Sequence, residues 1–177
     1  MRLLVANPAM GDDNFVRTVV LVVEHSDEGA LGLVLNRPST TGVGDPLPGW
    51  DAMAADPPVV FVGGPVSPDS AICLARVKSE GIDGWTSLVG ALGALDLSRH
   101  PDDAAAGIEE LRVFAGYAGW AGGQLESELE AGGWFVVDAR PEDVMTAEPD
   151  ALWRHVLSRQ RGHLQLFANY PDDVSTN

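Results

Sequence analysis

The sequence GYAGWAGGQLESELEAGGW, residues 116–134, constrains the fold more than any other stretch of the chain. Its first four glycines permit backbone shapes that a side chain forbids, which predicts a tight turn at the end of a strand. Residues 124–130 predict a short helix, because Leu125 and Leu129 lie four apart on one face. Two glycines after that helix are typical of a helix end, and Trp134 begins a new strand. We expect a structural role for this motif, with Gly116 or Gly119 at positive φ or in close contact with other backbone.

The size of the chain predicts one domain spanning residues 1–177. A chain of this length buries about two-thirds of its unfolded surface, so it needs no disulfide or metal to hold it together. Its single cysteine, Cys73, lies in the apolar run AICLARV and is interpreted as a buried strand thiol rather than a nucleophile.

Two absences in the sequence bear on localisation. No segment approaches the roughly 20 apolar residues that a membrane-spanning helix requires. The apolar run after Met1 and Arg2 is too short for the core of a signal peptide. We therefore expect a cytoplasmic protein that does not contact membranes.

The charge of the chain argues against direct binding to nucleic acid. The net charge is −15, from 26 acidic and 11 basic residues. Binding to duplex DNA draws its affinity from neutralised phosphates, which an acidic surface repels. One basic cluster, Arg154, Arg159 and Arg161, follows Glu148 and Asp150. This order is typical of a helix with acids at its N-terminal end and bases at its C-terminal end.

The order of apolar runs predicts an α+β protein with a mostly antiparallel sheet. The β-branched run 16–24 and the run 30–36 flank a short turn, which predicts a hairpin. Pro38 is expected to end the second strand, and residues 39–58 to be irregular apart from a helical turn near Trp50. Further strands are predicted at 59–62, 71–77, 112–117 and 134–139, with strand and loop at 87–97. Helices are predicted at 101–111, 141–145 and 149–161, and a loose tail at 169–177.

Four motifs in register resemble the AlgH/YqgE family of small bacterial proteins. In chain order they are LVANPAM (4–10), followed by Phe15, Arg17, Thr18, Glu24 and His25; ALGLVLNRP (30–38); VGGPV (62–66); and GYAGW (116–120) with residues 122–128. The resemblance implies a bifurcated sheet, part of it curled into a small closed barrel, with helices packed outside. The family's common label is transcriptional regulator, so the resemblance also implies a regulatory role.

The predicted hairpin carries four polar residues that are candidates for ligand binding: Glu24, His25, Asn36 and Arg37. An arginine at a strand end can bind a carboxylate or phosphate, and a histidine beside a carboxylate can transfer protons. The favoured interpretations are an internal ion pair for Arg37, for example with Glu24 on the neighbouring strand, and a surface turn histidine. A short turn would place Asn36 at the far end of its strand from His25. We therefore expect strand 59–62 to bring Asn36 and Arg37 near a glycine motif.

Gly63 and Gly64 have the composition of an anion-binding nest, in which successive backbone amides face a phosphate. They lack the lysine and the spacing of a phosphate-binding P-loop. A tight turn between strands is the favoured interpretation.

The helix after the glycine turn carries two more candidates, Gln124 and Glu126, which flank Leu125. They are expected to cap the glycine turn or to line a groove beside Trp120, which is itself interpreted as a core or rim aromatic residue. Glu126 and Glu130 share a face, and a solvated face is favoured over a metal site. The four histidines are too scattered to assemble a metal site with one cysteine.

Two classes of function remain open from the sequence. The favoured one is a non-enzymatic regulator, without cofactor, metal or catalytic residues, that acts through a protein partner or a small ligand. The alternative is an enzyme or binding module for a small anionic ligand, built from Asn36, Arg37 and a glycine turn.

Overall fold

The structure, a computed structural model, describes residues 1–12, 14–79 and 81–171. Within those residues the chain forms one sheet of ten strands and five short α-helices. The strands are β1 (Arg2–Ala6), β2 (Val19–Ser26), β3 (Gly29–Val34), β4 (Pro38–Gly42), β5 (Val59–Val62), β6 (Val66–Val77), β7 (Trp85–Val89), β8 (Leu92–Leu95), β9 (Ile108–Ala121) and β10 (Trp134–Asp138). The helices are α1 (Pro101–Ala105), α2 (Gln124–Glu130), α3 (Pro141–Val144), α4 (Leu152–Ser158) and α5 (His163–Phe167).

The long strand β9 is the point at which the sheet divides. The main order is β10-β1-β2-β3-β9-β6-β8-β7, and all neighbours in it are antiparallel. One side of β9 pairs with β6 over most of its length. The other side pairs with parallel β5 at residues 114–115 and then with β3 at residues 118–121. The sheet is therefore mostly antiparallel and forked, with β4 and β5 forming the short branch.

The sheet curls into a half-barrel that stays open, so the expectation of a closed barrel was wrong. Closing a barrel requires its first and last strands to pair. Here β10 and β7 lie at the two ends of the strand order and, within the described residues, do not pair with each other.

The central strands β1, β2 and β3 are buried on both faces, which explains their nearly continuous apolar sequences. Leu3, Leu21 and Leu33 point to one face, where they pack with Trp153 of α4. The alternate residues point to the other face, where Leu4, Val20 and Val34 pack with Trp120, Leu125 and Trp134. This part of the sheet is therefore covered by α4 on one face and by α2 on the other.

Several predicted boundaries were wrong, two of them because strand pairing overrode the local sequence pattern. The helix predicted at 101–111 ends at residue 105, and residues 108–111 belong to β9, where they pair with β6. Pro38 begins a strand rather than ending one, at the outer edge beside β5. The long helix predicted at 149–161 is a 3₁₀ turn at 149–151 followed by α4. The predicted hairpin, the strand at 59–62 and helix 124–130 are confirmed.

Strand β9 runs further into the glycine motif than predicted, to residue 121, with one irregularity, and the tight turn predicted at the strand end follows at residues 122–123. The irregularity lies at Gly116, which has φ 68°. Val66 pairs with Tyr117 and Ala71 pairs with Ala115, so residues 67–70 of β6 bulge opposite Gly116 alone. The expectation of a positive φ therefore holds at Gly116. The predicted tail, residues 169–177, lies outside the described residues beyond Pro171.

Candidate functional site

Asn36 holds the start of β2 against the chain that follows β3. Only 5% of its surface is exposed. Its Oδ1 accepts a hydrogen bond from the Val19 N–H at 2.9 Å, and its Nδ2 donates to the Arg17 carbonyl at 2.9 Å. The side-chain amide thus continues the ladder between two strands where direct backbone pairing has ended. These bonds use both ends of the amide, so Asn36 has a structural role here.

Arg37 lies next to β5, the strand that leads into Gly63 and Gly64, which we call the second glycine motif. Its carbonyl accepts a hydrogen bond from the Val62 N–H at 2.8 Å. Its guanidinium donates to the Val16 carbonyl at 2.5 Å and lines a small cavity together with Asp150 and Trp153. Burial lowers the pKa of Arg37, and the Asp150 carboxylate offsets part of that shift.

Gly63 and Gly64 pack against the backbone of the first glycine motif. A Cβ atom at Gly63 would lie 2.3 Å from the Gly116 carbonyl oxygen. A Cβ atom at Gly64 would lie 2.1 Å from the Tyr117 carbonyl carbon. The Gly63 N–H already donates to the Ala115 carbonyl at 2.8 Å. The two glycine motifs therefore pack against each other, and the first amide of the less favoured anion nest already has a hydrogen-bond partner.

Glu24 and His25 lie at the opposite end of the β2–β3 hairpin from Asn36 and Arg37. His25 pairs with Ala30 beside the turn, whereas Val20 pairs with Val34 near the other end. Glu24, the example given of an ion-pair partner for Arg37, is therefore not that partner, and these four candidates do not form one site.

His25 instead contacts α2. Its Nε2 lies 2.6 Å from Glu126 Oε1, and both side chains are about half exposed. A backbone hydrogen bond within Glu126, followed by the one from His25, lowers the pKa of the Glu126 carboxyl. This contact places Glu126 on the outer side of the helix.

A groove lies on the other side of α2. We call it the indole groove. It has a volume of about 450 Å³, which is within the usual range for small-molecule sites. The residues that line it are Asn7, Ala9, Met10, Gly11, Asp12, Phe15, Gly119, Trp120, Gln124, Glu128, Ala131, Gly132, Gly133 and Trp134.

Two tryptophans and a glutamate form the fixed wall of the indole groove. The Trp120 and Trp134 indole N–H groups both donate to Glu128 Oε2, at 2.9 and 2.8 Å. Gln124 Nε2 donates to Glu128 Oε1 at 3.0 Å. The Phe15 ring packs against both indoles, with centroids 6.3 and 5.4 Å away. Each polar atom of this wall is held in one orientation before any ligand arrives.

Local sequence explains why Gln124 and Glu128 face the groove. Gly123 has φ 77°, which lets the chain turn from β9 directly into α2. Gln124 Oε1 then accepts the Ala121 N–H at 3.1 Å. Leu125 is directed into the core, so the residues one turn apart, Gln124 and Glu128, project over Trp120.

Of the nine candidates taken from the sequence, only Trp120 and Gln124 line the indole groove. Sequence reasoning missed Phe15, Glu128 and Trp134. The sequence could have indicated Glu128, because it lies four residues after Gln124 and therefore on the same face of the helix. Nothing in the local sequence indicated that Phe15 contacts two tryptophans more than 100 positions away.

The arginines of the C-terminal helices are engaged within the fold. Arg159 makes a two-pronged ion pair with Asp143, at 2.5 and 2.7 Å, and Asp143 is almost fully buried. Arg154 donates to the Ala168 and Tyr170 carbonyls at 2.8 and 3.3 Å. These contacts direct both guanidinium groups inward rather than onto a DNA-binding face.

Three other features of the described residues bear on chemistry. Cys73 is 2% exposed, and burial raises the pKa of its thiol to about 12. No three side chains of His, Cys, Asp or Glu within the described part of the chain converge on a point that could hold a metal ion. No helix among residues 1–12, 14–79 and 81–171 is long and apolar enough to cross a membrane.

Comparison with known proteins finds similarity along nearly the whole chain. The family model described as AlgH-like, DUF179, matches residues 3–165. A UPF0301 protein of Streptomyces coelicolor is 51% identical over 181 residues, covering 99% of this chain and 94% of the relative. These matches confirm the resemblance carried by the four motifs.

Two solved structures share the fold. The crystal structure of a Corynebacterium diphtheriae protein matches with a TM-score of 0.89 at 32% identity, covering 96% of this chain and 91% of that one. The solution structure of the AlgH protein from Pseudomonas aeruginosa matches with a TM-score of 0.72 at 30% identity, covering 97% and 94%. Both matches support the mostly antiparallel half-barrel.

Proposed function

This chain belongs to the AlgH-like family, and from that premise we propose that it is a non-catalytic binding protein whose recognition site is the indole groove. Its regulatory role is exerted through the ligand or protein partner that this groove recognises, and not through direct contact with DNA. The rigid wall of Trp120, Trp134 and Glu128 is the observation that carries the proposal.

A preformed groove favours binding because the protein spends little free energy on ordering its own side chains. The two indoles are almost fully buried, with 6% and 4% of their surface exposed, so they cannot move independently of Glu128. The groove is also open to a ligand or to the side chain of a partner, because several of its lining residues, such as Asp12 and Gln124, are exposed.

The chemistry of the lining residues supports binding rather than catalysis. Among the residues that line the groove there is no hydroxyl, thiol, imidazole or amine side chain that would act as a nucleophile. The Glu128 carboxylate is held by three donors, which suits a fixed recognition element better than a proton-transfer group that must exchange partners.

The alternative site around Asn36 and Arg37 is less well suited to an anionic ligand. Both ends of the Asn36 amide are already hydrogen-bonded within the fold. The Arg37 guanidinium is committed in part to the Val16 carbonyl and lies close to the Asp150 carboxylate, which opposes an incoming anion. For these reasons we place the recognition site at the indole groove.

A ligand screen tests the proposal. The ¹⁵N-labelled protein is titrated with a fragment library that contains cations, neutral molecules and anions. We expect hits that shift the indole N–H signals of Trp120 and Trp134. Ala131 is exposed at the end of α2 and lines the groove, so Ala131→Trp should fill it and abolish binding.

Ala106→Trp is the matched control for the screen, because Ala106 is also an exposed residue at a helix end but lies outside the groove. This variant should retain the hits. Hits that persist unchanged in Ala131→Trp, or a library with no hit near either indole, would show that the groove is not a recognition site.

A gel-shift assay with duplex DNA tests the proposed mode of regulation. We expect no retardation at sub-micromolar protein and physiological salt, because the net charge of −15 opposes the phosphates and two of the three clustered arginines face inward. Arg161 is the exposed member of the cluster. A shift that survives physiological salt and disappears in Arg161→Glu would establish direct DNA binding and contradict the proposal.

A further inference from the structure

The ionisable residues of the indole groove are of one sign. Within its lining, Asp12 and Glu128 are the ionisable side chains, and both are acidic. They lie in a protein of net charge −15, so the surrounding field attracts cations and repels anions. The charge of the lining and of the whole protein therefore favours a cationic ligand over an anionic one in this groove.

The hydrogen bonds of Glu128 leave one acceptor position open. An ionised carboxylate offers about four lone-pair sites. Both sites of Oε2 are taken by the Trp120 and Trp134 indoles. Oε1 accepts one bond, from Gln124, which leaves one site for a further donor. Since the carboxylate is held rigidly, that donor gains a charge-assisted hydrogen bond without reorganising the protein.

The aromatic side chains next to this acceptor suit the apolar part of a ligand and also its charge. The Phe15 ring is partly exposed and lies beside Trp120 and Trp134. An aromatic face attracts an ammonium group through its quadrupole, and it packs equally well against an apolar body. Met10, at the rim, adds a flexible apolar contact.

We propose that the occupant of the indole groove is a small organic cation, a protonated amine on an aromatic or apolar body. The ammonium group donates to Glu128 Oε1, and the body lies against Phe15 and Met10. This assignment rests on the proposed function, because it names the ligand class of the same groove.

Three probes of matched size and different charge test the assignment: 2-phenylethylamine, 2-phenylethanol and 3-phenylpropanoate. Affinities are measured from the Trp120 and Trp134 indole N–H shifts at fixed, moderate salt. We expect the amine to bind about tenfold or more tightly than the alcohol, as a charge-assisted hydrogen bond requires, and the carboxylate to bind most weakly. The preference for the amine should decrease as salt is raised.

Three variants, one of them a control, locate the source of the preference for the amine. Glu128→Gln should remove the preference of amine over alcohol, whereas Glu130→Gln, an exposed carboxylate on the same helix but outside the groove, should retain it. If Glu128→Gln does not fold, Asp12→Asn is used to test the cation assignment instead. This variant should fold, because Asp12 is exposed and an asparagine keeps the oxygen that accepts the Asn14 N–H. It should weaken amine binding by about two- to threefold and leave alcohol binding unchanged.

The outcomes separate the two proposals. Equal or tighter binding of the alcohol or the carboxylate at the indoles would overturn the cation assignment and leave the groove as a recognition site. An amine preference that is unchanged in Glu128→Gln, or in Asp12→Asn where Glu128→Gln does not fold, would also overturn it. If neither these probes nor the fragment library shifts either indole signal, the proposed function itself fails.

Discussion

The Gly116→Ala variant is expected to be less stable than the wild type by about 2–5 kcal/mol, a loss of roughly 5–20 °C in melting temperature. Gly116 has φ 68°, which costs any residue with a Cβ about 1–2 kcal/mol. Its Cβ would also lie 2.5 Å from the Gly64 carbonyl oxygen and 2.8 Å from that of Val66. Both obstacles are backbone atoms, so the bulged start of β6 must shift. Thermal and urea unfolding would measure the loss.

Gly119→Ala is the matched control, from the same glycine motif. A Cβ at Gly119 would meet its nearest neighbour, the Tyr117 ring, at an ordinary contact distance of 3.4 Å. We expect a change within about 1 kcal/mol, since the smaller conformational entropy of the unfolded chain favours alanine. Equal melting temperatures for Gly116→Ala and Gly119→Ala would contradict the interpretation that the motif has a structural role that depends on Gly116.

The Arg112→Met variant is expected to be less stable than the wild type by about 2–6 kcal/mol, because it leaves two buried carbonyl groups without a hydrogen-bond donor. Arg112 is 1% exposed. It donates to the Thr146 carbonyl at 2.8 Å and the Asp56 carbonyl at 2.5 Å, and it lies 4.2 Å above the Phe61 ring. Burial lowers its pKa to about 10, so it remains charged at neutral pH. The loss would be measured by chemical denaturation.

Two further variants show whether the loss of stability comes from the hydrogen bonds of Arg112 or from removing an arginine in general. Arg161→Met removes an exposed arginine and should change stability by less than about 0.5 kcal/mol. Arg112→Lys keeps the charge but not the planar fork that reaches two carbonyls, so its stability should be intermediate. Wild-type stability in Arg112→Met would mean that the desolvation cost of the guanidinium cancels its hydrogen bonds.

Elements whose residues interact locally were predictable from sequence. Helix α2 was placed at its observed bounds because its apolar spacing and flanking glycines act within one short segment. The β2–β3 hairpin was predictable for the same reason, since a turn joins two neighbouring apolar strands.

Boundaries that depend on a distant partner were not predictable. Residues 108–111 follow a sequence that is typical of a helix, yet their pairing with β6 makes them the start of β9. Pro38 opens a strand because it sits at an edge next to β5, where a missing N–H costs nothing. The open half-barrel likewise depends on which strands occupy the two ends of the sheet.

The same division applies to the candidate site. Trp120 and Gln124 were selected from sequence because they adjoin the glycine motif and share a local turn. The separation of Asn36 from His25 was foreseeable too, because His25 lies beside the hairpin turn and Asn36 follows the far end of the second strand.

The sequence by itself determined the family, the main strands, the acidic charge and the structural glycines, because these follow from composition and from short-range spacing. Only the tertiary structure decided that Phe15, Glu128 and Trp134 meet at one groove. Their contacts join the loop after β1, helix α2 and strand β10. Such contacts depend on how the sheet stacks distant segments, and no periodicity within a single segment encodes that arrangement.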